Sequence, residues 1–318
     1  MGYECSITLI QDEAHSGERR RQRARLVAAL AVTVAFCVVE FVGGILANSL
    51  ALIADAGHML ADSGSLIICL AAATLAERRG GAKRTYGFYR VEILAALANG
   101  VILLFLAAQI FYGAVKRIST PAEVEGLTML AVAAAGLVAN ITGMLLLGGH
   151  GRNLNVKGAV LHMLGDTLSS VAVIAGGALV YVYGWNVVDP VLGVVIAGVI
   201  TWNAARLVRD AGHVLLEGVP KNMDLREIEA VLKGIPGVVA VHDLHVWTIT
   251  SGLDALSAHL VCDRPDGGGR DEVLDRVNAV LREKFAITHA TIQLESPGYR
   301  HPEETHAPRA DAGDDHGH

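Results

Sequence analysis

Apolar residues run through the first 207 positions of this chain in long blocks, separated by short polar connections. Six blocks, at residues 26–46, 50–75, 91–112, 127–147, 156–183 and 187–207, are each long enough to cross a bilayer as a helix. Beyond Asp210 the pattern changes. Residues 224–234 carry Leu225, Ile228 and Leu232 at helical spacing, and residues 270–285 gather Val273, Leu274, Val277, Val280 and Leu281 on one helical face. Between and after them, residues 238–248, 255–263 and 290–295 read as strands, with a turn at 265–269. The expected fold is an α-helical membrane protein, six transmembrane helices followed by a cytoplasmic α+β domain. That domain, in the order αββαβ, lays helices on one face of a three-stranded sheet, a ferredoxin-like or metallochaperone-like layer.

Charge supplies the orientation. Lys and Arg collect at residues 18–25, at Arg78, Arg79, Lys83, Arg84 and Arg90, at Arg152 and Lys157, and at Arg206 and Arg209. All of these connections fall on one side of a six-span chain, the side expected to be cytoplasmic. The opposite side has Lys116 and Arg117, offset by Glu123 and Glu125. Both termini are therefore expected in the cytoplasm of a cell inner (plasma) membrane protein. The first apolar block follows the basic cluster without a small-residue cleavage site and reads as a retained span. The expected parts are a tail at 1–22, a transport domain at 23–210, a metal-sensing and dimerisation domain at 211–296, and a disordered tail at 297–318.

Charged residues make up 18% of the chain and the net charge is −6, an average over a basic-edged membrane part and an acidic tail. Nothing in it points to nucleic acid. Cys5, Cys37, Cys69 and Cys262 are scattered and imply no disulfide framework.

Two short stretches inside the apolar blocks repeat one pattern, His58-x-x-x-Asp62 and His162-x-x-x-Asp166. On a helix each pair shares a face one turn apart. Ionisable groups at membrane depth are expensive and mark function. Together the pairs supply two imidazole nitrogens and two carboxylates, a ligand set for tetrahedral Zn²⁺. Two Asp carboxylates and two neutral His around one Zn²⁺ sum to zero charge, the cheap state in hydrocarbon. When the metal leaves, the facing carboxylates favour protons, so metal and proton compete for one set of ligands. That competition is what an antiporter needs.

The stretch from Asn48 through Asp55 and His58 to Asp62 resembles the second-span signature of the cation diffusion facilitators, a zinc-transporter family. Tyr86-Gly-Phe-Tyr-Arg90-Val-Glu92 resembles the start of that family's third span, and His162-x-x-x-Asp166 its fifth. Val241-His242-Asp-Leu-His245-Val-Trp247 and Thr291-Ile-Gln-Leu-Glu295 resemble its cytoplasmic domain. The match is to the cobalt-zinc-cadmium efflux subgroup, bacterial Zn²⁺/H⁺ antiporters. The resemblance implies a homodimeric exporter in lipid, with Zn²⁺ as substrate and regulatory ligand rather than cofactor. His58, Asp62, His162 and Asp166 would form the transport site. Export of Cd²⁺ or Co²⁺ through the same ligands is the nearest alternative. Residues 76–90 contain no His or Asp, so no metal site is expected there.

In the cytoplasmic part, period-two alternation puts His289, Thr291, Gln293 and Glu295 on one face of the last strand, and His259 with Ser257 and Val261. This open face gathers zinc-binding side chains. The resemblance carries His242, His259 and Glu295 over as ligands, and His289 with them. His245 points away from His242 in a regular strand and is expected to pack. Asp55, one turn before His58, reads either as a proton carrier or early ligand, or as a helix-end carboxylate at the interface. Asn48 and Asn140 are expected to hydrogen-bond between helices. His301, His306, His316 and His318 read either as loose metal capture or as plain tail. Two further classes, an intramembrane metalloenzyme and a membrane-anchored metal sensor, are disfavoured. No HExxH occurs, four protein ligands leave no place for a substrate water, and an anchor needs no buried ligand pairs.

Overall fold

The computed structural model describes residues 16–76, 85–120, 122–147, 154–263 and 267–299; the side chains of 16–29, 62, 65–66, 68–76, 143–147, 154–164 and 267–268 lie outside that description. The chain divides into two compact units at Gly212.

The first unit is helical: α1 (Ser16–Leu46), α2 (Leu50–Ala76), α3 (Arg90–Ser119), α4 (Gly126–Leu147), α5 (Leu154–Tyr183) and α6 (Val188–Leu215). α1 begins upstream of its apolar block, because the Arg-rich run before it is made of good helix formers. Among the described residues, Arg90–Ser119, Gly165–Tyr183 and Val188–Leu215 are long and apolar enough to cross a membrane, and Leu30–Leu46, Leu50–Ala61 and Gly126–Thr142 are shorter apolar helices.

The helices pack through small residues at helical spacing. Ala54 of α2, Leu103, Ala107 and Ile110 of α3, and Ala197, Ile200 and Ala204 of α6 form one buried cluster. Ala47, Ala51 and Leu52 join Met129 and Ala133 of α4 and Val173 of α5 in another. Where α4 meets α5, a Cβ on Gly126 would fall 2.6 Å from the Tyr181 backbone nitrogen, so only Gly lets the two helices approach so closely. Phe105, Tyr112, Val195 and Trp202 stay exposed, as lipid-facing side chains do.

The second unit holds α7 (Leu225–Lys233), β1 (Val238–Thr250), β2 (Leu253–Cys262), α8 (Gly267–Phe285) and β3 (His289–Glu295). The sheet order is β1-β2-β3. β1 and β2 are antiparallel across a turn at Gly252, whose φ of 76° suits glycine. β2 and β3 are parallel, joined by α8 as a parallel pair requires. Asp224 caps α7 by accepting from Arg226 N at 2.8 Å. The core joins Ile228 and Leu232 of α7, Leu256, Ala258 and Leu260 of β2, and Val273, Val277 and Leu281 of α8. The expected α+β order is present, with β1 two residues longer at its end than the pattern predicts and α8 starting inside the expected 265–269 turn.

Candidate metal centres

α2 and α5 lie against each other and bring one His and one Asp together. His58 Nε2 and Asp166 Oδ1 are 3.2 Å apart, with side chains 17% and 18% exposed. Two ligand atoms on a tetrahedral zinc with bonds of about 2.0–2.1 Å are separated by about 3.3 Å. One metal can therefore take both atoms with little movement of either helix.

The contact repeats one turn along. Three residues back on α2 and three on along α5, Ser169 Oγ donates to Asp55 Oδ1 at 2.7 Å. Asp55 is buried, so it belongs to the helix interface and not to an exposed helix end. A further turn in the same direction brings Ala51 and Val173, both buried without measurable exposure. Polar contact thus gives way to an apolar seal. In the other direction α2 carries Asp62 and α5 carries His162. Their side chains lie outside the described set.

Glu40 of α1 is a residue that the sequence reading passed over. It is 1% exposed, and its Oε2 has no hydrogen-bond partner among the described residues. It is within electrostatic reach of Asp55 and Asp166. Its Oε1 occupies the space that a Cβ on Gly136 of α4 would need. Nearby, Cys37 Sγ donates to Ala56 O at 3.3 Å, holding α1 against α2. A lone carboxylate inside the apolar block 26–46 was the available signal. Asn140 Nδ2 donates to Ser170 Oγ at 3.2 Å, the helix-to-helix bond expected of it.

The cytoplasmic unit gathers a second group. His242, His259 and Glu295 bring one ligand atom each within 4.8 Å of one another. His242 Nε2 is 2.9 Å from Glu295 Oε2, and His259 Nδ1 is 3.1 Å from Glu295 Oε1. The register explains the meeting: His242 pairs with His259, and Val261, two residues along the same face, pairs with Glu295. Glu295 is 5% exposed, and Gln293 Nε2 donates to its Oε1 at 3.0 Å. A buried carboxylate between two imidazoles, open to solvent on the His242 side, is a chelating arrangement.

His289 stands elsewhere. It pairs with Ala255, six residues before Glu295 on β3, about 20 Å away along the strand, outside the group of three. Period-two alternation gives a shared face but not proximity.

His245 departs from expectation in the opposite sense. Its Cα partner is Ser257, which shares a face with His259, so His245 lies on the open face with His242. A bulge between His242 and His245, with Asp243 at φ 50°, inserts a residue and reverses the alternation. His245 Nε2 is 3.0 Å from Asp243 Oδ1, and His259 Nε2 is 3.6 Å from Asp243 Oδ2. The hydrogen bond from His245 holds the Asp243 carboxyl below the usual carboxylate range, helped by the nearby His259 and His242 rings and opposed by burial. The tail histidines at 301, 306, 316 and 318, and residues 77–84 of the connection expected to lack a metal site, lie outside the described residues.

Comparison with known proteins agrees with both halves. Residues 26–216 match the cation efflux transmembrane domain, and residues 220–297 match the cation efflux protein cytoplasmic domain. The chain is 43% identical over 282 residues to the metal cation efflux system protein CzcD of Cupriavidus metallidurans, covering 88% of each. It is 38% identical over 288 residues to a cadmium, cobalt and zinc/H(+)-K(+) antiporter of Bacillus subtilis, covering 89% of this chain and 92% of that one. It is 39% identical over 274 residues to the zinc transporter ZitB of Escherichia coli, covering 85% and 87%. A solved structure titled as the metal-bound C-terminal domain of the CzcD transporter is 44% identical over 23% of this chain and 99% of its own, with a TM-score of 0.22. Matched along its membrane helices and its cytoplasmic sheet alike, and at this identity over most of its length, the chain belongs to the cation efflux family of membrane transport proteins.

Proposed function

We propose that this protein exports Zn²⁺ from the cytoplasm in exchange for H⁺, through a site made by His58, Asp62, His162 and Asp166. The 3.2 Å approach of His58 Nε2 to Asp166 Oδ1 carries the reading. The antiparallel step between α2 and α5 supports the other half. If Asp55 meets Ser169 and His58 meets Asp166, four residues further the same step brings Asp62 level with His162. Four such ligands around one divalent ion leave no net charge. They leave no open position for a substrate water, in keeping with a transporter rather than an enzyme.

The transport cycle follows from charge. With the metal absent, protons on the facing carboxylates relieve their repulsion, because bare charges are unfavourable at membrane depth. Zn²⁺ arriving from the cytoplasm displaces those protons. Re-exposure to a more acidic exterior protonates the ligands and releases the metal. The apolar seal at Ala51 and Val173, with His58 and Asp166 still partly exposed, fits a state closed toward the outside and accessible from the cytoplasm. Orientation with both termini in the cytoplasm of the inner membrane rests on the Lys and Arg pattern. Cd²⁺ and Co²⁺, which the Bacillus relative's name includes, suit the same nitrogen and oxygen donors.

His242, His259 and Glu295 form a regulatory centre in a homodimer. Zinc on the open sheet face would draw the two cytoplasmic domains together and bias the helices through α6. The test is purified protein in proteoliposomes, with zinc and pH dyes read together at clamped potential. Zinc uptake should accelerate with an acid interior and move protons the opposite way. Zinc flux indifferent to an imposed pH gradient, without proton counterflow, would exclude antiport.

A further inference from the structure

We propose that Asp189, at the start of α6, is a positioning residue for the transport site: it caps the N-terminus of α2 and thereby sets where His58 stands. The proposal rests on the transport-site reading above. Asp189 is buried without measurable exposure. Its carboxylate accepts from Ser49 Oγ at 2.5 Å, Leu50 N at 2.8 Å and Ala51 N at 3.1 Å. Ser49 Oγ in turn accepts from Leu52 N at 3.2 Å. The first N–H groups of a helix have no partner within it, and they carry the positive end of its dipole. Here another helix satisfies them with a full negative charge. The cap is tertiary, not local.

The charge is balanced from a third helix. Arg117, in the last turn of α3, has Nη1 3.6 Å from Asp189 Oδ2, and its Nη2 donates to Asn48 Oδ1 at 2.6 Å. Its Nη1 also donates to the Asn48 carbonyl. Asn48 sits at φ 53°, a left-handed conformation that ends α1 and aims its carbonyl at Arg117. Asn48 Nδ2 donates to Glu123 O at 2.9 Å. The first turn of α2 is therefore held from α3, α6 and the connection before α4.

His58 is eight residues into α2, about 12 Å along its axis. A cap that fixes the first turn fixes the rotation and height of every later residue on a rigid helix. The partner, Asp166, comes from α5, which Asp189 does not touch in any of these bonds. The cap therefore decides how α2 registers against α5, and the metal reads that register through His58. A buried carboxylate serving only stability would leave metal affinity unchanged in the folded protein.

The experiment uses full-length protein in detergent with the cytoplasmic centre removed by His259→Ala and Glu295→Ala, and Co²⁺ as the probe. Tetrahedral Co²⁺ at the transport site gives an intense visible band. Asp189→Leu, which removes the acceptor, should weaken Co²⁺ binding by about tenfold or more and diminish the band. Asp189→Asn, which keeps an acceptor oxygen, should retain the band with a smaller loss. Ser49→Ala, the milder variant if Asp189→Leu does not fold, should weaken binding by about threefold. A folded Asp189→Leu, or Ser49→Ala, that binds Co²⁺ with the parent's affinity and band would overturn the positioning role alone. A parent that shows no tetrahedral band would overturn the transport site, and the positioning role with it.

Discussion

His58 and Asp166 stand on neighbouring antiparallel helices with Nε2 and Oδ1 3.2 Å apart, close to the edge of a zinc coordination tetrahedron. Neither residue is near the other in sequence, and each is one turn from a second ligand candidate of the opposite type. This complementarity motivates the first prediction. Asp166→Ala and Asp62→Ala should each abolish zinc flux into proteoliposomes while leaving the detergent-solubilised protein monodisperse. Each change removes a ligand and leaves the metal-loaded site with a net positive charge in hydrocarbon. Near-normal flux in either variant would move the site elsewhere.

Selectivity should follow the nitrogen. His58→Asp exchanges a borderline donor for a hard oxygen and adds a negative charge beside Asp166. Competition assays should then show Mn²⁺ or Cd²⁺ gaining on Zn²⁺. An unchanged order of metals would remove His58 from the ligand set.

The cytoplasmic group allows a contrast within one strand. His259→Ala combined with Glu295→Ala should weaken zinc binding by the second unit by about 10-fold or more, and lower transport at limiting zinc. His289→Ala should change binding by less than about twofold, since β3 carries it about 20 Å from Glu295. Calorimetry on the full chain, with the transport site disabled, reads both. A large loss from His289→Ala would mean that the open face binds metal differently from the group of three.

Cys262 should be inert in the native protein. It is 1% exposed, its Sγ donates weakly to Leu260 O at 3.7 Å, and burial pushes its thiol above the usual range, with Arg270 opposing. The thiolate is the reactive form. Maleimide labelling of a variant carrying Cys262 as its sole cysteine should stay slow between about pH 7 and about pH 9 and become fast on denaturation. Rapid native labelling would contradict the packing of β2 against α8.

Much of this protein could be read from its sequence because the signals are local. Block length and hydropathy mark membrane helices, since the bilayer imposes one length on every span. The i, i+4 spacing put His58 with Asp62 and His162 with Asp166 on single helical faces. The αββαβ order of the second unit followed from periods of 3.6 and 2. The partners that meet across elements did not follow. Alternation predicted His245 on the packed face, and one bulge at Asp243 turned it outward, because counting by two assumes a regular strand. The same count joined His289 to Glu295 by face, and only the pairing of β3 with β2 sets their distance. Asp189 stands in the first turn of α6. Its role as the cap of α2 depends on a contact 139 residues away in the chain, with Leu50. Glu40 was visible only as an isolated charge until α4 brought Gly136 against it. Sequence by itself determined the elements, and which residues share a face wherever an element is regular. Tertiary packing decided which faces meet, because that choice is made by the fit of surfaces and not by spacing along the chain.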